Sequence, residues 1–162
     1  MFIHIGYGNY INKDELKLMS SQFTTGYYSR LIKNAKMKNS YDGIDFTNGH
    51  SKKTFILLNN NNFVYSAIPY SQLMTRYKKC NTFGNKIISL GNGNYINAKQ
   101  IRFISGNIKS KPISKQLKIA KNNHLCIDFT HNEPTRSLLF MKDGTIITSM
   151  FDEHTLIKRI LS

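Results

Sequence analysis

One stretch of sequence occurs twice in this chain, and that repetition constrains the fold more than any other feature. Residues 6–12 read Gly-Tyr-Gly-Asn-Tyr-Ile-Asn, and residues 91–97 read Gly-Asn-Gly-Asn-Tyr-Ile-Asn, at an offset of 85. Ile-Asp-Phe-Thr at 44–47 recurs at 127–130, now at an offset of 83. Ser66 and Arg76 recur as Ser149 and Arg159 at the same offset of 83. Matches in the same order predict two tandem copies of one small domain, residues 1–80 and 85–162.

Each copy is near the lower size at which a domain folds alone. We therefore expect each copy to bury its remaining apolar face against the other. Hydrophobic residues make up 40% of the chain, which is enough to build a core and argues against disorder throughout.

The order of elements within a copy follows from the hydrophobic period and the turn residues. Short β-rich runs at 2–5 and 86–90 stop at a Gly-x-Gly-Asn turn, and a second strand starts at Asn9 or Asn94. The pattern allows this second strand to continue through 16–19 and 101–104. Three further strands are predicted in each copy, at 44–47, 55–58 and 63–67 and again at 127–130, 137–141 and 145–149. A helix ends each copy, at 70–79 and 152–161, with Arg76 and Arg159 in the last turns, where the macrodipole favours cations.

A central helix is predicted in each copy, and cations recur along it. Ser29 and Ser114 are candidate N-caps, although a start one turn earlier, near Tyr27 or Pro112, is equally consistent. Leu31 with Ala35, and Leu117 with Ala120, indicate a stripe that faces the core. Cations at matched positions lie mostly away from this stripe: Arg30, Lys33 and Lys36 correspond to Lys115, Lys118 and Lys121. Such a face is either an ordinary solvated surface or a surface that meets a polyanion.

The chain is strongly basic, with 23 Lys and Arg against 9 Asp and Glu and a formal charge of +14. The abundance of Asn, Lys, Ile and Tyr also arises from AT-rich coding, so composition alone identifies no partner. Lysines outnumber arginines by 18 to 5. Because Lys is a point charge and Arg a planar fork, this ratio favours contact with the phosphate backbone over base recognition.

A second basic candidate is the loop that follows the Ile-Asp-Phe-Thr strand. In copy one it reads Asn48-Gly49-His50-Ser51-Lys52-Lys53, in which adjacent side chains could donate to phosphate, although solvated hairpin lysines are an equal alternative. In copy two it reads His131-Asn132-Glu133-Pro134-Thr135-Arg136, which places an acid and a proline opposite His50 and Ser51. The two copies therefore differ in chemistry here.

Taken together, these motifs resemble the RemA-type extracellular-matrix regulators of bacteria. The resemblance rests on Ile-x-Ile-Gly-x-Gly-Asn, a basic helix, Ile-Asp-x-Thr, a basic loop, a hairpin and a Ser-Ala-hydrophobic strand end before a last helix. It covers Phe2 to Tyr77 and again Ile88 to Ile160.

The resemblance implies an α+β fold made of two tandem LytTR-like, β-rich domains, each with a central and a C-terminal helix. It also implies a DNA-binding regulator that assembles into rings and presents arginines to DNA. The family's Gly-Arg-Arg-Thr-Arg loop falls on residues 49–53 and 132–136, and neither copy has the adjacent arginine pair. A further family arginine falls on Glu15 and Gln100. The expected DNA contacts are therefore Arg30, Lys33, Lys36, His50, Lys52, Lys53, Lys115, Lys118, Lys121 and Arg136.

The predicted function is a transcriptional regulator or nucleoid-type organiser that binds duplex DNA mainly through phosphate contacts, with strong salt dependence and weak sequence selectivity. A two-copy chain could complete a ring with about half as many chains as a single-copy relative. One alternative is an assembly protein that has lost DNA binding. Another is an RNA- or ribosome-associated protein whose 19 Phe and Tyr side chains stack on bases.

Other classes of function receive little support from the sequence. No apolar run approaches the roughly twenty residues of a membrane span, and no secretory signal precedes the first strand. We expect no membrane partner, and a cytoplasmic, nucleoid-associated location or its organellar equivalent. Cys80 and Cys126 are expected to be reduced and packed, and the five histidines lack metal-ligand spacing. Asp45 and Asp128 are expected to accept hydrogen bonds at strand ends, Gly6-x-Gly8 to be a turn, and the protein to be neither an enzyme nor a cofactor carrier.

Overall fold

The computed structural model describes residues 1–21, 29, 33, 43–60, 62–80 and 86–162, apart from the Leu18 side chain. The elements of the first copy are β1 Phe2–Gly6, β2 Asn9–Asn12, a 3-10 turn Lys13–Glu15, β3 Leu16–Ser20, β4 Ile44–Asp45, β5 Thr54–Leu58, β6 Phe63–Ser66 and α1 Tyr70–Lys79. Those of the second are β7 Ile87–Gly91, β8 Asn94–Asn97, a 3-10 turn Ala98–Gln100, β9 Ile101–Ser105, α2 Lys111–Asn122, β10 Cys126–Asp128, β11 Ser137–Met141, β12 Ile146–Ser149 and α3 Glu153–Leu161. The α+β fold with a repeated unit is thereby confirmed.

The Gly-x-Gly-Asn motif forms a two-residue hairpin turn in both copies. Tyr7 and Gly8 both have positive φ, 51° and 71°, and so do Asn92 and Gly93, 51° and 78°. Two successive positive φ angles are typical of the type I′ turn, whose twist matches that of the flanking strands. The expected turn at this motif is confirmed.

The expectation that the second strand runs on into the third is wrong. A 3-10 turn at Lys13–Glu15 separates β2 from β3, and one at Ala98–Gln100 separates β8 from β9. The preceding asparagines start these turns, because the Asn12 side chain accepts from the Asp14 amide at 3.1 Å and the Asn97 side chain from the Lys99 amide at 3.0 Å. As a result β2 and β3 belong to different sheets.

The sheets do not follow the boundary between the copies. The largest sheet has six strands in the order β1-β2-β9-β11-β12-β10, so the first hairpin extends the sheet of the second copy. A four-stranded sheet, β3-β5-β6-β4, comes from copy one alone, and the second hairpin stands as a two-stranded sheet, β7-β8. In both larger sheets the short edge strand is parallel to its neighbour, β4 to β6 and β10 to β12.

Two hydrophobic clusters hold these layers together. The first mixes the copies: Ile11, Phe46 and Leu73 of copy one pack with Phe103 and Phe140 of copy two. The second is built around the second hairpin, β9, β11, β12 and α3. The expectation that the copies bury apolar surface against each other is confirmed. Cys80 and Cys126 are free thiols packed against the first cluster, and burial raises the pKa of Cys126.

The C-terminal helix of each copy is tied to the hairpin of that copy by an arginine. Arg76 Nη1 donates to the carbonyl of His4 at 2.6 Å, and Arg159 Nη1 donates to the carbonyl of Ser89 at 2.6 Å. These two residues therefore connect helix to strand in addition to lying near the negative end of the helix dipole.

Helix α2 starts at Lys111 after Ser110, so the earlier of the two predicted starts, near Pro112, is the observed one. Ile113 and Ala120 are buried, while Leu117 packs against the first cluster, as the predicted stripe requires. The helix ends in a Schellman arrangement in which His124, at φ 57°, is followed by Leu125, whose amide donates to the Ala120 carbonyl at 2.8 Å. Of the first central helix, Ser29 and Lys33 are described and helical; Tyr27, Leu31 and Ala35 lie outside the described residues.

No helix in the described part of the chain has the length and hydrophobicity to cross a bilayer.

Candidate nucleic-acid interface

The loop after β4 is a tight turn that leaves its cationic side chains in solvent. Asn48 and Gly49 have φ of 52° and 81°, and the His50 amide donates to the Thr47 carbonyl at 3.0 Å. A Cβ placed at Gly49 would meet nothing within 4 Å, so the outer side of the turn is open. His50 and Lys53 are exposed. The backbone of this loop is therefore accessible to a large ligand.

His50 is held in place by an aromatic contact with the first hairpin turn. Its ring stacks on Tyr7 with centroids 5.0 Å apart and planes only 9° apart. Tyr7 itself is 40% exposed. The basic loop and the hairpin turn therefore form one surface, which sequence separation alone does not indicate.

Lys52 is less available than its neighbour Lys53. The ammonium Nζ lies 3.9 Å from Asp45 Oδ2 and 4.3 Å from the centroid of the Tyr65 ring. An exposed ion pair of this kind contributes at most about 1 kcal/mol, so an incoming phosphate can compete with Asp45 for the ammonium. Lys53 is thus the stronger candidate of the two.

Copy two repeats the backbone of the loop with different chemistry. His131 and Asn132 occupy the left-handed positions of Asn48 and Gly49, with φ of 49° and 67°. The Glu133 amide donates to Thr130 at 3.0 Å as the His50 amide does to Thr47, and the Arg136 amide donates to Ser149 at 2.9 Å as the Lys53 amide does to Ser66. Glu133, Pro134 and Arg136 line an open depression of about 490 Å³ beside Asn92. Copy two therefore offers one exposed cation and one acid where copy one offers His50 and two lysines.

Helix α2 presents its three predicted lysines to solvent. Lys115, Lys118 and Lys121 are exposed on the side away from Ile113 and Ala120. Lys33, the matched residue of Lys118 in copy one, is also exposed. Arg30 and Lys36 lie outside the described residues, so their placement remains a prediction.

Two further cations come near the first loop through a contact between the copies. The Asn107 side chain donates to Asn48 Oδ1 at 3.1 Å, which brings the start of the β9–α2 connection against the turn of copy one. Lys109 and Lys111 follow within four residues and are both exposed. Their matched positions in copy one are Thr24 and Gly26, so the repeat carries no signal that could have singled them out.

The paired aspartates act as hydrogen-bond acceptors, as expected. Asp45 Oδ1 accepts from the Thr47 amide at 2.9 Å, and Asp128 Oδ1 accepts from the amide and hydroxyl of Thr130 at 2.9 and 2.6 Å. The Thr130 hydroxyl and amide, together with Thr148, lower the pKa of Asp128. Among the residues that the structure describes, no three His, Cys, Asp or Glu side chains come together as a metal site.

Glu15, at the position of the family's further arginine, belongs to the joint between the copies. Its side chain is 8% exposed and accepts from Arg102 Nε at 3.0 Å, while Lys142 Nζ lies 3.1 Å away. Three ionised groups thus meet where the first hairpin joins β9. This position stabilises the tertiary structure and does not face a ligand.

The sequence matches one family model twice. The RemA-like family, described as extracellular matrix regulatory protein A-like, matches residues 2–77 and 87–160. Both segments fall within the predicted copies.

Two curated relatives match at low identity. A protein of Lachnoclostridium phytofermentans is 28% identical over 76 residues, which are 47% of this chain and 82% of the relative. One of Thermosynechococcus vestitus is 31% identical over 74 residues, which are 46% of this chain and 95% of the relative. Both names contain the words "Putative regulatory protein". Each match has the length of one copy, and the names indicate a regulatory role rather than an enzyme.

Proposed function

The chain belongs to the RemA-like family, in two tandem copies, and on this premise we propose that it is a regulator that binds duplex DNA through phosphate contacts. The sites proposed are the loop of copy one, Arg136 in copy two and the lysine face of α2. In copy one the proposed contacts also include Lys33, with Arg30 and Lys36 on the sequence prediction alone.

The observation that carries this proposal is the exposure of matched cations. Lys33 and Lys118 are exposed on matched positions of the two copies, and Lys53 and Arg136 are exposed on matched positions of the two loops. A composition bias would place lysines without regard to the repeat. Instead the apolar side of α2 is buried while its cations stay in water, where they can exchange counterions for phosphates.

Lysines in place of arginines set the expected character of binding. An ammonium group neutralises a phosphate, but it lacks the two-pronged contact with guanine that arginine makes in the major groove. Binding should therefore weaken steeply as salt rises and should discriminate little between sequences. Transcriptional control and nucleoid organisation are both compatible with such contacts.

Self-association is part of the proposal. One face of a single 162-residue chain offers few phosphate contacts, and a ring would repeat that face around its rim. Because each chain contributes two copies, a ring would close with about half as many chains as one made by single-copy relatives.

The test is a salt titration of binding to duplex DNA, single-stranded DNA and RNA. The variant Lys52→Glu/Lys53→Glu changes the formal charge from +14 to +10, since each substitution removes two charges. Lys78→Glu/Lys79→Glu makes the same change at the exposed end of α1 and is the matched control. We expect the loop variant to lose at least about tenfold in affinity for duplex DNA and to have a shallower salt slope, with a much smaller effect of the control.

Equal losses in the two variants would mean that total charge, and not the loop, attracts the polyanion. Affinity that hardly changes between low and moderate salt would exclude the phosphate mechanism. Binding to none of the three nucleic acids would support the alternative of an assembly protein, for which Glu133 and Pro134 in the second loop already speak.

A second candidate, binding of single strands or RNA, is favoured by one observation. Tyr7 is exposed next to His50 and could stack on an unpaired base. The variant Tyr7→Leu should weaken binding to single strands and leave duplex binding unchanged if stacking contributes. In copy two Asn92 replaces this aromatic side chain, so any stacking platform exists in one copy.

A further inference from the structure

The chain contains one complete example of a joint between a hairpin and a sheet. Strand β2 pairs antiparallel with β9, with Asn9 opposite Ser105, Tyr10 opposite Ile104 and Ile11 opposite Phe103. Side chains reinforce the pairing, because Asn12 Nδ2 donates to the Ile101 carbonyl at 2.9 Å and Ser105 Oγ donates to Asn9 Oδ1 at 2.5 Å. The joint therefore links copy one to copy two by backbone and side-chain hydrogen bonds.

Both halves of a second joint are present but are not paired with each other. Strand β8 has the same four residues as β2, Asn-Tyr-Ile-Asn, and β3 is the counterpart of β9 at the offset of 85. Within the described residues, β8 has β7 as its strand neighbour and β3 has β5. Each of these strands thus ends its sheet on the side that the internal joint uses.

The burial of the repeated residues shows what β8 lacks. In the first hairpin Asn9, Ile11 and Asn12 are 1%, 0% and 0% exposed. In the second, all four residues of β8 retain some exposure, and Tyr95 is 65% exposed. Ile87 on the adjacent strand is 61% exposed, whereas its counterpart Phe2 is 8% exposed. The same sequence is covered once and left uncovered once, and an open strand edge of this kind is a template for pairing.

We propose that β8 of one chain pairs with β3 of a second copy of the same chain, in the register of the internal joint. Asn94 would lie opposite Ser20 of the second copy, Tyr95 opposite its Met19, and Ile96 opposite its position 18. This strand addition completes a six-stranded sheet, β7-β8-β3-β5-β6-β4, of the kind that β1-β2-β9-β11-β12-β10 forms within the chain. It specifies the edges used in the self-association that the proposed function includes, and it does not depend on nucleic-acid binding.

The contact is heterologous, since it joins two different edges. Every chain keeps one β8 edge and one β3 edge, so addition continues until a ring closes or a fibre grows. A two-fold dimer cannot satisfy both edges by this contact in the way that a ring can.

The two joints differ in charge, which makes the register testable. The internal joint carries Glu15 between Arg102 and Lys142. The counterparts of these residues are Gln100, Lys17 and Asn59. The joint between chains therefore has a lysine without the carboxylate, and the variant Gln100→Glu supplies it.

The first experiment measures mass by size-exclusion chromatography with light scattering, without nucleic acid, over a range of concentrations. We expect the wild-type chain to form assemblies larger than 18.7 kDa, and Tyr95→Asp to shift them to the mass of one chain. Ile127→Asp, on the exposed outer edge of β10, is the matched control and should assemble as the wild type does. A wild-type chain that is monomeric at every concentration, or equal effects of both variants, would overturn the proposal.

Two further variants test the register. Gln100→Glu should tighten association about two- to five-fold at low salt, whereas Gln72→Glu, the same charge change on α1, should not. In a background with Cys80→Ser and Cys126→Ser, Met19→Cys/Tyr95→Cys should give disulfide-linked ladders under mild oxidation, while Met19→Cys/Ile127→Cys should not. Ladders from the second pair alone would show another interface. Retained DNA binding by a monomeric Tyr95→Asp variant would leave the loop proposal intact.

Discussion

At the scale of single residues, matched positions in the two copies have matched structural tasks. Arg76 and Arg159 each hold a hairpin carbonyl at 2.6 Å, and Thr54 and Ser137 each donate through the hydroxyl to a carbonyl 14 residues on, at 2.7 Å. The sequence places cations at the ends of the last helices, but only the folded chain shows that their partners lie on strands more than 65 residues away. The repeat predicted that these residues matter together, and the structure shows which bond each one makes.

Asp152, the N-cap of α3, should give a pH dependence that Asn abolishes. Its Oδ1 accepts from the Thr155 amide at 2.7 Å, and this hydrogen bond, with that of the Thr155 hydroxyl, lowers its pKa below the usual 3.8. The folded state therefore favours the carboxylate. The resulting stability is present above the ordinary pKa and is lost as pH falls through the lowered one.

We expect Asp152→Asn to keep most of the free energy of unfolding at neutral pH, because Asn also caps helices, and to lose less of it than the wild type on acidification. Asp152→Ala should cost about 1 kcal/mol at neutral pH. Urea unfolding at a series of pH values measures both effects. Parallel acid profiles for wild type and Asp152→Asn would contradict this assignment.

At the scale of elements, the 3-10 turn between β2 and β3 decides which sheet each strand joins. A continuous strand would have kept the hairpin on the sheet of its own copy. The turn redirects the chain, and the hairpin adds to β9 instead. Asn12 shows the reason locally, since its side chain starts the turn with one atom and bonds the Ile101 carbonyl with another.

The Glu15 cluster should stabilise this joint more than an exposed ion pair does. Because Arg102 is 11% exposed, Glu15→Ala leaves a buried guanidinium without its carboxylate and should cost about 3–5 kcal/mol. The double variant Glu15→Met/Arg102→Met should cost less than Glu15→Ala, since it removes both charges. Lys52→Ala breaks the exposed pair with Asp45 and should cost no more than about 1 kcal/mol.

Denaturant unfolding of these variants measures the differences in free energy. If Glu15→Ala and Lys52→Ala proved equally mild, the cluster at the joint would not be what holds the hairpin to β9.

At the scale of the whole molecule, the two copies share one core. Phe46 of copy one meets Phe103 of copy two edge-to-face, with ring centroids 5.6 Å apart, and both are at most 2% exposed. Two copies with separate cores would unfold independently, whereas a shared core couples them.

We therefore expect a single unfolding transition for both copies. Phe46→Ala and Phe103→Ala should each lower the stability of the whole chain by about 3–5 kcal/mol, and their effects should not add. Circular dichroism and hydrogen exchange of amides in each copy give the measurement. Two separate transitions, with each variant shifting only its own, would mean that the copies fold independently.

The candidate interface could be predicted in part. The cations of α2 are exposed because the helical period that buries Ile113 and Ala120 also turns Lys115 and Lys118 outward. The ion pair of Lys52 with Asp45, the stacking of His50 on Tyr7 and the approach of Asn107 to Asn48 could not be predicted. Each of these is a contact between side chains that the period of an isolated element does not bring together.

The amino-acid sequence determined the elements, because turn residues, hydrophobic period and caps act within a few positions of one another. Both Asn-Tyr-Ile-Asn segments form the second strand of a type I′ hairpin for that reason. Tertiary structure alone decided that one of them is buried and the other is left at an open edge. Burial depends on which distant surface reaches a strand, and in this chain β9 reaches β2 while β8 has no corresponding partner among the described residues.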